Sequence, residues 1–323
     1  MRKNKGELFQ LPGWLLAVID VVLTGCALIG FALFDHVLPA RLETRISDET
    51  QRLLQAHATL SPEVEQAEEA LHQKFPEKFT DGEPVWTENS YTGRNLSIAL
   101  SSGRLGESVY YVQDIYLRDI GCFMTAFGQD VFGKGYTEHA LEMANRKGAI
   151  GATNGDFYSM GSLGVLIRNG EIYRDEVSPL ESVLALYKDG HMEIYEAGEV
   201  TMGELIDKDV WQTWSFGPRL LDENGKAMTV FEKKNPEANP RTVIGMVEPG
   251  HYMLIVVDGR QDGYSYGMTY DELAQLCEQL GLALAYNLDG GGSSEMIFGG
   301  ETVSRPSDDR DVSDIIFLTD ILT

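Results

Sequence analysis

The stretch Asp289-Gly290-Gly291-Gly292-Ser293-Ser294-Glu295 sets an acid at each end of a run of small residues. Three consecutive glycines let backbone amides converge without side chains intruding, which suits an oxyanion or a sugar ring. The run contains no lysine, and Met296–Phe298 behind it reads as a strand rather than a helix. It is therefore not a nucleotide P-loop. Two further loops set acids beside glycine, Asn154-Gly155-Asp156-Phe157-Tyr158 and Asp258-Gly259-Arg260. Either one alone reads as an ordinary Asn-Gly or Asp-Gly turn. Together the three supply Asp156, Asp258 and Asp289 as candidate catalytic carboxylates. Arg219, in Phe216-Gly217-Pro218-Arg219, Arg241, after Asn239-Pro240, and Arg260 are candidate anion clamps, because a guanidinium fork matches phosphate or carboxylate. For each arginine the competing reading is a solvated surface charge.

The six histidines, at 36, 57, 72, 139, 191 and 251, all lie outside these loops. That argues against a histidine-held zinc or iron centre and against a Ser-His-Asp hydrolase. A hard cation, Ca²⁺ or Mg²⁺, has oxygen ligands to draw on in Asp156, Asp258, Asp289 and Glu295.

The elements around these loops place them together. From about residue 80 the chain reads as short β-rich runs such as Ser108–Leu117. Asn169-Gly170, Asp189-Gly190 and Asn224-Gly225 each sit between apolar runs, and Pro249-Gly250 turns Thr242–Val247 into Tyr252–Val257. Thr269 and Glu272 form a capping box for a helix over Thr269–Leu280. Leu273, Leu276, Cys277 and Leu280 make its apolar stripe, and Gly281 ends it. A second helix spans Thr137–Lys147. Each is followed by a short buried-looking strand, Ala149–Thr153 and Ala283–Leu288. Met253–Val257, the helix and Ala283–Leu288 then form a strand–helix–strand unit whose strands run parallel, with Asp258 and Asp289 just past their carboxyl ends. Ligands in such sheets sit at those ends.

Composition sets the wider frame. Asp+Glu number 50 against Lys+Arg 26, a formal net charge of −24, which disfavours nucleic acid as a partner. An anionic substrate would need locally placed arginines. Three cysteines make no disulfide framework. Trp14 to Phe34 is almost wholly apolar, broken mainly by Asp20 and Thr24, and is as long as the roughly 20 residues that a helix needs to cross a bilayer. Arg2, Lys3 and Lys5 precede it. This predicts a cytoplasmic tail at 1–13, an uncleaved signal anchor at 14–34, a helical stalk at 35–79 and an extracytoplasmic domain at 80–323, held at the cell membrane by a single pass.

The ordered set Asn-Gly-Asp-Phe-Tyr at 154–158, Phe-Gly-Pro at 216–218, Asn-Pro-Arg-Thr at 239–242, Asp-Gly-Arg at 258–260, Gly-Met-Thr at 267–269 and Asn-Leu-Asp-Gly-Gly-Gly-Ser-Ser at 287–294 resembles the phosphodiester glycosidase domain family, over roughly residues 85–323. The resemblance implies an α+β domain, a mixed β-sheet with a few packed helices, whose polar cavity hydrolyses a sugar-1-phosphate diester. In the mammalian member the substrate is N-acetylglucosamine α-linked through phosphate to mannose. The family motif often reads Asn-Gly-Gly-Phe at the first site, so Asp156 is a departure that adds a carboxylate. Breaking a sugar C1–O bond normally takes two carboxyl groups, for which Asp289 with Asp258 or Asp156 are the candidates. Arg241 and Arg260 would hold the phosphate, with Arg219 a further candidate. Asn154, Gly290, Gly291, Gly292, Ser293, Ser294 and Glu295 would line the substrate site, and the glycine amides would meet developing charge. The predicted extracytoplasmic position makes a sugar-phosphate glycan of the cell envelope or an exopolysaccharide the candidate substrate. The rival readings are a non-catalytic glycan-binding or envelope-assembly protein and a metal-dependent phosphodiesterase that cuts P–O.

Overall fold

Val, Ile and Tyr crowd Ser108–Leu117, and this ten-residue strand pairs along its whole length with Leu96–Leu105 on one side and over residues 110–116 with His251–Val257 on the other. It is the middle of a seven-stranded antiparallel sheet. The spatial order is Leu284–Asn287, Arg241–Glu248, His251–Val257, Ser108–Leu117, Leu96–Leu105, Ser90–Thr92 and Val85–Thr87. A second sheet has five strands, in the order Glu301–Thr302, Met296–Phe298, Gly151–Asn154, Asp314–Leu318 and Phe123–Phe127. Smaller β elements include a three-stranded sheet, Met192–Tyr195, Val183–Tyr187 and Val210–Trp214, and the hairpin Leu166–Arg168 with Glu171–Arg174. These come from a computed structural model, which describes residues 39–56, 62–161, 164–231 and 237–321 and scattered positions between 12 and 26.

The layers follow from what each face buries. One core joins Ile98, Ile115 and Leu254 of the large sheet to Phe123, Met296, Ile316 and Leu318 of the five-stranded one, with Leu184 and Trp214 of the small sheet at its end. The opposite face of the large sheet takes the helix Tyr270–Gln279, whose Leu273, Leu276 and Cys277 pack on Val243, Ile255 and Val257. The outer face of the five-stranded sheet takes the helix Ala140–Arg146 through Ala140, Met143 and Ala144. The result is an α+β arrangement of helix, sheet, sheet and helix. Cutting Leu273 to alanine would cost about 2–5 kcal/mol.

Local signals in the sequence survive in the fold. Thr269 and Glu272 make both halves of the capping box, and the turns at Asn169-Gly170, Asp189-Gly190 and Pro249-Gly250 each join adjacent antiparallel strands. The strand–helix–strand reading needs correcting in one respect. His251–Val257 and Leu284–Asn287 do run parallel, but Arg241–Glu248 lies between them, antiparallel to both. The hydrogen-bonding edges that the two strands would have shared are taken by an earlier segment, which also puts Arg241 at the start of a strand between their carboxyl ends.

The chain divides into two units, 1–40 and 41–323. In the first, residues 21–26 are helical and Val21, Val22 and Leu23 are exposed. Among the described residues no helix is long and apolar enough to cross a membrane. Asp20 and most of the proposed anchor at 14–34 lie outside the described residues. The segment read as a stalk does contain two helices, Asp48–Ala56 and Pro62–Gln73, but they are not a free spacer. Ile46 and Leu53 pack on the core beneath the three-stranded sheet, and Leu71 is 4% exposed in the central core. The domain therefore begins well before residue 80, because these apolar side chains find a surface to cover.

Candidate active site

Three glycine-bearing loops meet at one end of the large sheet, around the segment Asn239-Pro240-Arg241. A β-carbon on Gly259 would come within 2.8 Å of Pro240 N, and one on Gly290 within 2.8 Å of Pro240 O. Gly267, at φ +95°, lies against the Asn239 backbone too closely to hold any side chain. So the glycines of three separate motifs share one function, to let their loops close on this segment. Asn154 ties in the remaining loop. Its Nδ2 donates to the Asp289 carbonyl at 2.7 Å, and its Oδ1 accepts from Thr242 Oγ1 at 2.8 Å. Asn154 is therefore a buried clip, with its amide already used.

The meeting point encloses a cavity of about 360 Å³ lined by Arg241, Arg260, Tyr270, Asn287, Asp289 and the Gly290-Gly291 backbone, among others. Arg241 donates through Nε to Met268 O and through Nη2 to Glu237 O, both at 2.9 Å, and stacks on Tyr270 with its guanidinium carbon 4.1 Å from the ring centre. Arg260 is in the left-handed region at φ +59° and is aimed by Asn239, whose Oδ1 accepts from its Nη2 at 2.9 Å. Among the described residues no carboxylate lies within ion-pairing distance of Arg260. In a chain of net charge −24, this is a concentrated positive site.

Asp289 is the acid that faces it. Its side chain is 15% exposed, Oδ1 accepts from the Gly290 amide at 2.9 Å, and Oδ2 lies 3.4 Å from Arg310. Burial raises its pKa above the usual carboxylate value, with Ser293 and Arg310 opposing. Beside it Asn287 donates both Nδ2 hydrogens to carbonyls, of Gly217 and Leu288, each at 2.9 Å. That fixes its amide, and its buried Oδ1 is left without a partner.

The other predicted residues are placed elsewhere. Asp258 points away: its carboxylate accepts from Tyr264 Oη at 2.8 Å and from the Arg305 amide at 3.0 Å, and burial raises its pKa to about 6. Asp156 is 3% exposed and fully engaged, with Oδ1 accepting from Arg168 at 2.7 Å and Oδ2 from the Ser215 amide at 2.8 Å. Arg168 also reaches Asp314 at 3.1 Å, whose pKa is raised by burial and by Asp156. Arg219 spends its guanidinium on the Ile194 carbonyl at 2.8 Å and on Glu196. Glu295 lines a different depression with His139 and Arg310 and bonds to Thr302. Ser293 accepts from Arg310, and Ser294 from Thr242.

Two expectations change in consequence. Four amides of the glycine run do not converge on open space: Gly290 bonds to Asp289, Gly291 to Pro240 O, Ser293 to Gly290 O and Ser294 to Gly291 O. And the four acids offered as cation ligands are scattered among separate partners. Among the described residues no group of three or more His, Cys, Asp or Glu could hold a metal ion.

Arg168 is the residue the sequence reading missed. Its one signal was an arginine inside the apolar run Val165–Arg168, directly before a hairpin turn, where a charge can only be tolerated if paired.

A second cavity, about 390 Å³, adjoins the first, and Phe216 lines both. Asp156, Phe157, Met160, Glu181 and Ser215 also bound it.

This is the architecture of an α+β domain with a preformed cationic pocket and one facing acid. A family model described as phosphodiester glycosidase matches residues 147–319, more than half of the chain, and the protein belongs to that family. The match takes in all the loops of the site. A Bacillus subtilis (strain 168) protein, the SPbeta prophage-derived uncharacterized protein YomE, is 31% identical over 185 residues, 55% of this chain but only 28% of that protein. The catalytic domain of zebrafish N-acetylglucosamine-1-phosphodiester alpha-N-acetylglucosaminidase, auto-inhibited by its pro-peptide, has a similar fold (TM-score 0.57, 17% identity, 78% of this chain and 93% of that one). So does a hypothetical protein from Synechocystis (TM-score 0.52, 15% identity, 73% and 64%).

Proposed function

We propose that this protein is a membrane-anchored hydrolase that works outside the cytoplasm and cleaves the C1–O bond of a sugar-1-phosphate diester in an envelope glycan or exopolysaccharide. The observation that carries the reading is the juxtaposition of Asp289 with Arg241 and Arg260 around one cavity. The two guanidiniums hold the phosphate. A departing phosphate monoester has a second pKa of about 6 and needs little help from an acid. The one facing carboxylate is then best used on the other partner, taking the proton of the water that attacks the anomeric carbon. Its raised pKa makes it a stronger base near neutral pH. The apolar run at 14–34, the basic residues before it and the exposed Val21, Val22 and Leu23 support the membrane placement.

The test is hydrolysis of a panel of sugar-1-phosphodiesters, N-acetylglucosamine among them, by the full chain in ¹⁸O-water, with and without EDTA. Label in the free sugar, unaffected by EDTA, supports the assignment. Label in phosphate, lost with EDTA, selects the metal-dependent phosphodiesterase instead. Binding with no turnover across the panel selects the glycan-binding protein.

A further inference from the structure

Resting on that reading, we infer that the glycosyl group occupies the second cavity, bounded by Phe157, Met160, Glu181, Ser215 and Phe216. A scissile C1–O bond has the phosphoryl group on one side and the glycosyl group on the other. With the phosphoryl group on Arg241 and Arg260 and the carbon at Asp289, the sugar must leave the cationic cavity past Asp289. The structure has space on that side. The Asp289 amide donates to the Gly155 carbonyl at 3.3 Å, and the next residue, Asp156, already belongs to the second cavity. Phe216 forms part of both walls. Asp289 thus lines the first cavity and is one backbone hydrogen bond from the loop that lines the second.

The lining of the second cavity suits a pyranose ring. Phe157 and Met160 stay 36% and 76% exposed, so apolar faces are open to the C–H face of a sugar. Glu181 and Ser215 lie in the same wall for its hydroxyls. Phe157 adopts φ +59°, a left-handed conformation that a phenylalanine rarely takes. The loop after it is held by the buried Arg174, which donates to the carbonyls of Tyr158, Gly161 and Gly164. An aromatic ring kept outward at a left-handed position, beside carbonyls tied to Arg174, is arranged for contact rather than for core packing. The space, about 390 Å³, falls within the roughly 300–1,000 Å³ usual for small-ligand sites.

The experiment is calorimetric titration of the full chain with free N-acetylglucosamine and, separately, with inorganic phosphate. Phe157→Ala and the more exposed Met160→Ala are each expected to weaken sugar binding about five- to tenfold. Phosphate binding should stay within about twofold of wild type, since the two sites share few contacts. Arg260→Ala should do the reverse. Sugar binding that ignores both substitutions, or that falls with Arg260→Ala as far as phosphate binding does, overturns the assignment. Because binding is read without turnover, a chain that shows this pattern but cleaves nothing sinks the hydrolase reading and leaves the cavity assignment standing.

Discussion

The loops at 258–260 and 289–292 begin alike, each with Asp-Gly at the carboxyl end of one of two parallel strands in the same sheet, and they divide their work in opposite ways. The first turns its acid inward, where Tyr264 and the Arg305 amide bind it, and gives the cavity its arginine. The second gives the cavity its acid and spends its glycines on close packing against Pro240 and Asp308. Asp-Gly after a strand therefore says where a carboxylate begins, not what it faces. What decides the outcome is the partner brought from elsewhere, a tyrosine and a backbone amide in one case, Arg310 at the edge of a cavity lined by two other guanidiniums in the other.

Substitutions can break this contrast. The largest effect belongs to Asp289→Asn, expected to reduce turnover about 10²–10⁴-fold without lowering the thermal transition. An equal loss from Asp258→Asn would erase the distinction between the loops. Next comes Arg168→Met, which strands Asp156 and Asp314 in the interior. Removing one partner of a buried ion pair costs about 3–5 kcal/mol, read here as a lower midpoint in chemical denaturation. If stability barely changes, the Arg168 cluster is not what fixes the 154–158 loop. Arg260→Ala should lower kcat/KM on a phosphodiester about 10–100-fold, the range for lost charge-assisted hydrogen bonds. Arg219→Ala, whose guanidinium is occupied at Ile194, should leave kcat/KM nearly unchanged, and a matching loss there would redraw the cavity.

Much of the architecture was legible because its signals are local. The capping box at Thr269, the Asn-Gly and Pro-Gly turns and the alternating strands each need only a few adjacent residues. The convergence of the loops bearing Asn154, Arg260 and Asp289 could be inferred from where strands end, whereas Arg241 stood out only as a candidate anion clamp. What escaped depends on residues far apart in sequence. Arg168 and Asp314 are 146 positions apart, Asp258 and Arg305 47, and no spacing rule links them. The strand Arg241–Glu248 inserts between two later ones for the same reason. Leu71, in a helix that read as a stalk, is recognisable as core only when its neighbours Gly190 and Gly250 are in place. Asn287 opens the Asn-Leu-Asp-Gly run, yet its unpartnered Oδ1 shows only once Gly217 and Leu288 have taken its amide hydrogens.

The pH dependence of stability sharpens the comparison most, because it titrates the inward-facing acid itself. Burial lifts Asp258 from 3.8 to about 6 in the folded protein, against its hydrogen bonds from Tyr264 and Arg305. Between those two values the folded chain holds a proton that the unfolded chain has released. Stability contributed by Asp258 is thus present at low pH and falls as pH rises from about 4 to about 6, by on the order of 1–3 kcal/mol. Asp289, Glu295 and Asp314 are shifted the same way, so the slope of wild type alone assigns nothing. The difference between wild type and Asp258→Asn does, since asparagine has no proton to lose in this range. Denaturation midpoints for the two chains should converge near pH 4 and separate by pH 7, with the wild type the more pH-sensitive. Parallel curves would mean that Asp258 is ionised throughout, and that its loop is held by charge rather than by burial of a neutral acid.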